Sequence, residues 1–321
     1  MTLTEIFSGV DNARVGVIGD FCLDVYWLAD MTLSEISREV PNFPLPIVEE
    51  RMSPGGAGNV ACNLMALRPK KVCALGMTGR DWRGDALRGL LSDAGVDVSG
   101  FLSSPRRVTP AYIKPLRKGL TDVIYEDPRL DFEDRAPMTA EDEQRLLDAL
   151  NSLDVDVLCV CDQLKNGCIT PAIRQRICAL SRSGLTVIVD SRDRIALYED
   201  VIVKPNEIEA ARAVQSDGPY EELAAMLSRK TRRPAIVTLG AEGCLVCEDG
   251  RITRVPARKV EPPIDICGAG DTFLSALACA LAAGATLTEA AYLANTASAV
   301  TIRKINTTGT ADRREISALW N

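Results

Sequence analysis

Over 321 residues the chain carries a net charge of −7, which argues against a nucleic-acid binder working by broad phosphate attraction, and no apolar run is long enough to cross a bilayer. It contains no histidine, so histidine triads, histidine-ligated metals and imidazole bases are excluded, and proton transfer falls to Asp, Glu, Lys, Tyr or Cys. The 11 cysteines, an odd number, sit mostly in apolar segments as reduced thiols would in a cytosol, and Cys244-Leu-Val-Cys247 has no second pair to complete a zinc site.

The opening Met1-Thr-Leu-Thr-Glu-Ile lacks the basic and apolar regions of a secretion signal, so a cytoplasmic protein is expected. Residues 14–19 form a short apolar run closed by Gly-Asp, read as a buried strand with Asp20 and Asp24 at its carboxyl end, where open α/β sheets bind ligands. Residues 25–48 alternate like a strand but contain Pro41, Pro44 and Pro46, which suits edge structure projecting from the main sheet. Residues 53–64 read as a glycine turn, Gly55-Gly56-Ala-Gly-Asn59, opening a helix; Asn59 offers a donor and an acceptor suited to hydroxyls, though a capping turn would look the same. Strands at 71–76 and 96–101 flank a helix at 82–94, a βαβ rhythm. Residues 107–132 break it with hairpin-like alternation and the charge cluster Arg129-Leu-Asp131-Phe-Glu133-Asp134. Together with 25–50 this is read as a small lid; a solvated hairpin is the alternative.

After Pro137 the rhythm resumes, with strands expected at 155–160, 185–190, 201–204 and 235–239 and helices near 139–150, 170–183, 206–215 and 219–230. Asp162, Asp190 and Asn206 then stand on one rim. A hairpin at 242–255 precedes three helices, 271–283, 287–304 and 311–320. No composition break divides the chain, so residues 1–321 are expected to form one domain.

The chemistry concentrates in Asp265-Ile-Cys-Gly268-Ala269-Gly270-Asp271-Thr-Phe273. Its glycines allow a tight turn whose N–H groups open an apolar helix, an anion cradle, and Asp271 lies in the first turn, where the macrodipole favours its ionised form. An ordinary capped core helix would share this pattern. Without a P-loop or a dinucleotide fingerprint, a carboxylate beside an anion cradle fits phosphoryl transfer to an alcohol.

The segment 265–273 resembles the C-terminal motif of the ribokinase-like PfkB carbohydrate kinases, and 55–61 resembles their glycine motif. Lys204-Pro-Asn206-Glu-Ile-Glu209 is similar to their Asn-x-x-Glu element and Val237-Thr-Leu-Gly240-Ala-Glu-Gly243 to their nucleotide-side turn. The resemblance implies an α/β three-layer αβα sandwich with a mostly parallel central sheet, a small β-sheet lid, and ATP and Mg²⁺ as cofactors. It implies Asp271 as general base, the backbone of Gly268, Ala269 and Gly270 as anion hole, and Asp24, Gly55, Gly56 and Asn59 on sugar hydroxyls. It further implies Asn206 and Glu209 organising Mg²⁺ through water, Gly240 and Gly243 along the nucleotide with Asn295 near the adenine, and K⁺ held by Asp265 and carbonyls near Asn306.

Within the family, Leu23-Asp24-x-Tyr26-Trp27, Ile36-Ser37-x-Glu39-x-Pro41 and Arg129-Leu-Asp131-Phe-Glu133 look like the heptose 7-phosphate kinase group. This implies a phosphorylated sugar acceptor met by Arg129 and Asp131, with Lys114 and Arg117 as further lid cations. Departures at Glu35, at Asn42-Phe43, at Gln163-Leu-Lys165-Asn166 and at Ser191-Arg192 fall where the sugar would be handled. A homodimer through the exposed edges of the lid is expected.

Overall fold

A computed structural model describes residues 1–121, 123–305 and 308–320. Nine strands form the larger sheet in the order Arg251–Val255, Cys244–Glu248, Ala235–Thr238, Ile202–Val203, Thr186–Ser191, Val157–Asp162, Arg14–Gly19, Lys71–Gly79, Phe101–Ser104. Cys244–Glu248 pairs antiparallel with both of its neighbours, Arg251–Val255 and Ala235–Thr238, and the other contacts are parallel. Because side chains alternate across a strand, Val157, Cys159 and Cys161 enter one core while Leu158 and Val160 enter the other. The first core is closed by helices Ala57–Ala66, Trp82–Asp93, Ala269–Ala282 and Leu287–Thr301, the second by Ala140–Asn151, Pro171–Arg182, Glu207–Val214 and Tyr220–Thr231. The result is the expected three-layer α/β sandwich.

Caps fix several helix starts as the sequence indicates. Thr139, Thr170 and Thr286 each accept a backbone N–H from the first turn of the helix that follows.

A smaller sheet runs in the order Ile47–Gly56, Phe21–Asp30, Ala111–Lys118, Ile124–Glu126, with Leu130–Phe132 also pairing with Ala111–Lys118. It comprises the two segments that break the βα rhythm, but with different limits. The first strand starts directly after Asp20, and the three prolines 41, 44 and 46 fall in the connection rather than in a strand. Gly55 and Gly56 do not form a turn: they end a strand, opposite Cys22 and Phe21, and the helix starts at Ala57. Asp122, expected in a strand, lies outside the described residues.

Elsewhere the strand expected at 96–101 is displaced to Phe101–Ser104. Asp97 makes only one bridge, to Cys73, because its carboxylate accepts the N–H of Ser99 and turns the chain. The strand expected at 201–204 is reduced to Ile202–Val203, and the helix expected to reach 304 stops at Thr301.

Candidate active site

The helix Ala269–Ala282 begins one turn earlier than its apolar run suggests, with Gly268 as N-cap at φ +78°. A side chain there would be strained and would press within 2.9 Å of the Asn59 amide, so this turn favours glycine. Asn59, 2% exposed in the first turn of its own helix, donates from Nδ2 to Asp271 Oδ2 at 2.7 Å. Two helix N-termini, 212 residues apart, thus meet at one carboxylate.

Asn59 is itself held in place. Asn63 donates to its Oδ1 at 3.2 Å, Thr272 donates to Asn63 Oδ1 at 2.9 Å, and the Thr272 and Thr301 hydroxyls are 3.0 Å apart. All of these groups are buried.

Asp271 does not follow the expectation of a readily ionised first-turn acid. Burial pushes its carboxyl from 3.8 up to about 7, with Asp190 and Asp24 adding repulsion, against which the Asn59 hydrogen bond and the charge of Lys204 work. Desolvation is the largest influence on this acid, because Asp24, Asn59, Asp190 and Lys204 gather around it and little water reaches it. A carboxyl near neutrality suits a general base at physiological pH.

Lys204 is the functional group that motif reading left in the background. It is 3% exposed at the end of Ile202–Val203 and pairs with Asp190 at 3.0 Å; burial opposes its charge but Asp190 outweighs this and holds the ammonium above its usual value. Its Nζ lies 3.9 Å from where a Gly270 side chain would begin, so a cation sits beneath the Gly268–Gly270 turn. The only signal was a lysine closing a strand just before Pro205-Asn206.

Asn206 and Glu209 form a reciprocal capping box: Asn206 Oδ1 accepts the Glu209 N–H at 2.8 Å and Glu209 Oε2 accepts the Asn206 N–H at 2.9 Å. Burial holds the Glu209 carboxyl above its usual value, with Asp190 adding to it. Among the described residues no three acidic or thiol groups converge on one point. That donor set fits Mg²⁺ held through water by one carboxylate and by phosphates, and does not fit a protein-caged ion.

Asp24 lies on the smaller sheet, its Oδ2 within 2.5 Å of where a Gly55 side chain would begin. Burial raises its carboxyl, while Lys114 and Arg129 lower it. Arg51, Tyr26 and Lys114 form one cross-strand row: both cations lie over the Tyr26 ring, at 4.6 Å and 5.0 Å from its centroid. Arg129 lies over Tyr112 at 4.7 Å and pairs with Asp131 at 2.6 Å. Arg117 is turned to Asp127 instead.

Gly240 opens a short 3₁₀ turn, Gly243 ends it against the carbonyl of Val255, and Asn295 donates to the carbonyls of Val255 and Pro256 at 3.0 and 3.2 Å. Gly243 donates its N–H to Gly240 O at 3.1 Å, and Asn295 meets the same Val255 carbonyl that Gly243 packs against, which makes a second group apart from Asp271. Asp265 donates its N–H to Ile302 O at 2.8 Å and accepts the Cys267 N–H at 3.0 Å; Asn306 lies outside the described residues. Asp162, placed on the rim by sequence, is instead buried behind it, its carboxylate taken up by Arg194, Ser191 and Tyr198.

The chain is 32% identical over 318 residues to the bifunctional protein HldE of Geotalea uraniireducens, covering 95% of this chain and 62% of that protein. It is 35% identical over 326 residues to HldE of Caulobacter vibrioides, with the same two shares, so it spans about 62% of the length of these curated relatives. Among solved structures, phosphofructokinase-2 from Escherichia coli in complex with potassium superposes with a TM-score of 0.76 at 20% identity, over 96% of this chain and 98% of that one. Ribokinase from Arabidopsis thaliana, complexed with ribose and ATP, gives 0.71 at 19% identity over 97% and 99%. These two likenesses speak to the fold. The model of the pfkB family carbohydrate kinases matches residues 23–314, nearly the whole chain and every motif described above, and the chain belongs to that family.

Proposed function

We propose that this chain is a single-domain, ATP-dependent kinase that phosphorylates the anomeric hydroxyl of a heptose 7-phosphate, with the smaller sheet as its lid. The observation that carries the reading is the Asn59–Asp271 pair at the mouth of a helix whose N-cap is a left-handed glycine. Asp271 accepts the proton of the sugar hydroxyl, and the N–H groups of Gly268, Ala269 and Gly270, backed by Lys204, stabilise charge on the phosphoryl group in flight. ATP supplies that group and Mg²⁺, through water on Asn206 and Glu209, screens its oxygens. Gly240, Gly243 and Asn295 shape the nucleotide wall, and Asp265 contributes to the site of a monovalent cation such as K⁺. Asp24, Gly55, Gly56 and Asn59 hold the sugar.

The lid cations support an acceptor with an anionic end. Lys114 is felt electrostatically by both Asp24 and Cys267, so it faces the catalytic turn, and Lys114 and Arg129 both act on the Asp24 carboxylate. Exposed Ile47, Val48, Ile124 and Tyr125 on the same sheet are the surface through which a second copy would pair. The test is ADP release from ATP and Mg²⁺ with heptose 7-phosphate, unphosphorylated heptose, fructose 6-phosphate and ribose, with the product bond located by phosphorus NMR. Turnover of heptose 7-phosphate alone, with its KM raised about tenfold or more in Lys114→Ala, is the expected result. Preference for an uncharged sugar or for fructose 6-phosphate would overturn the acceptor assignment.

A further inference from the structure

Four stretches of chain connect the larger sheet to the smaller one: Asp20, the Gly56–Ala57 step, residues 105–110 and residues 133–139. All four meet at one buried cluster. Asp20 is 3% exposed; its backbone carbonyl accepts the Ala57 N–H at 3.0 Å, and its N–H donates to Cys161 O at 2.9 Å. Its carboxylate accepts three backbone N–H groups, from Gln163 at 2.8 Å, Leu164 at 2.7 Å and Cys168 at 2.7 Å. The loop so gathered leaves no room for a side chain at Gly167, which would begin 2.1 Å from Asp20 Oδ1.

That loop holds the other two connections. Arg107 donates from Nη2 to Asn166 O at 2.9 Å, and Asn166 Nδ2 donates to Asp134 O at 3.0 Å. Arg107 Nε and Asp134 Oδ2 are 2.8 Å apart, with the two side chains only 3% and 9% exposed. The contact lacks hydrogen-bond geometry, and among the described residues Arg107 Nη1 has no hydrogen-bond partner. A buried guanidinium with unspent donors is costly.

We propose that Asp20 and Arg107 are positioning residues that set the angle of the smaller sheet over the catalytic turn, and with it the gap between Asp24 and Asp271. This rests on the reading of the smaller sheet as a sugar lid, but the joint itself can be tested without any substrate. Nothing in the cluster touches the reacting groups; it acts through the lid.

The experiment is hydrogen exchange on the free protein, followed by kinetics with ATP and heptose 7-phosphate. In Arg107→Met, amides of Phe21–Asp30 and Ala111–Lys118 should exchange about tenfold faster or more, while those of Val157–Asp162 stay within about twofold. Acceptor KM should rise about tenfold with ATP KM little changed, a split that general destabilisation does not produce. Arg107→Lys should recover most of both effects, and Asn166→Ala, a milder change, should move both in the same direction. Unchanged exchange in the lid strands, or equal acceleration in both sheets, overturns the proposal. If wild-type protein does not turn over heptose 7-phosphate, the acceptor assignment fails and the exchange result alone decides the joint.

Discussion

Replacing Asp271 by Asn separates what this residue contributes to chemistry from what it costs the fold. The burial that raises its carboxyl from 3.8 to about 7 means that, above neutrality, the native state holds a charge it disfavours. Three units correspond to about 4 kcal/mol between the protonation states. The sign follows from linkage: with a raised native value, the acid's favourable term is complete below pH 3.8 and is lost as pH rises through 7. Asn carries no charge and should therefore be more stable than Asp by about 4 kcal/mol at pH 8, with the difference shrinking steadily as pH falls to 5. Over the same change kcat should fall by roughly 10²–10⁴. Urea melts of both proteins at the two pH values, together with steady-state rates, test this. A stability difference that ignores pH, or near-normal turnover by Asp271→Asn, would refute the reasoning.

Two further substitutions probe the neighbours of that acid. Lys204→Met leaves Asp190 without its buried partner and should destabilise the protein by about 3–5 kcal/mol by denaturant melting; because Lys204 also lowers the Asp271 value, the acid limb of kcat/KM should move to higher pH. Gly268→Ala forces a side chain into a left-handed position and against Asn59, so it should cost about 1–2 kcal/mol, with the loss in kcat exceeding any loss in nucleotide affinity.

Much of the layout could be read from the chain because it depends on local signals. The apolar run expected at 155–160 lies within two residues of the strand Val157–Asp162, and the helix expected at 170–183 within one residue of Pro171–Arg182. The glycine motif at 55–56 was read as a turn, whereas both residues pair with Cys22 and Phe21 and only Gly56 takes a positive φ, at +56°, and that pairing is a contact no local pattern carries. The same holds for Asp97, whose carboxylate bends the chain away from the strand expected there. In the site, spacing alone marked Asp271 and Asn59. What it could not convey was the proton affinity of Asp271, which is set by burial and by Asp190, Asp24 and Lys204, all far away in sequence. Lys204 and Arg107 were passed over for a related reason: a lysine or arginine reads as solvated until its surroundings are known.

The row of polar groups running from Thr301 through Thr272, Asn63 and Asn59 to Asp271 has a fixed polarity. Since Thr272 donates to Asn63, Thr301 must be the giver in its contact with Thr272, and each amide is thereby denied a half-turn about its last bond. Were Asn59 reversed, its oxygen would face the acid and favour retention of the proton that a base has to shed. Whether the Asp271 carboxyl holds its proton is thus decided partly by a hydroxyl on a different helix, and changes along that row would have to occur in matched sets.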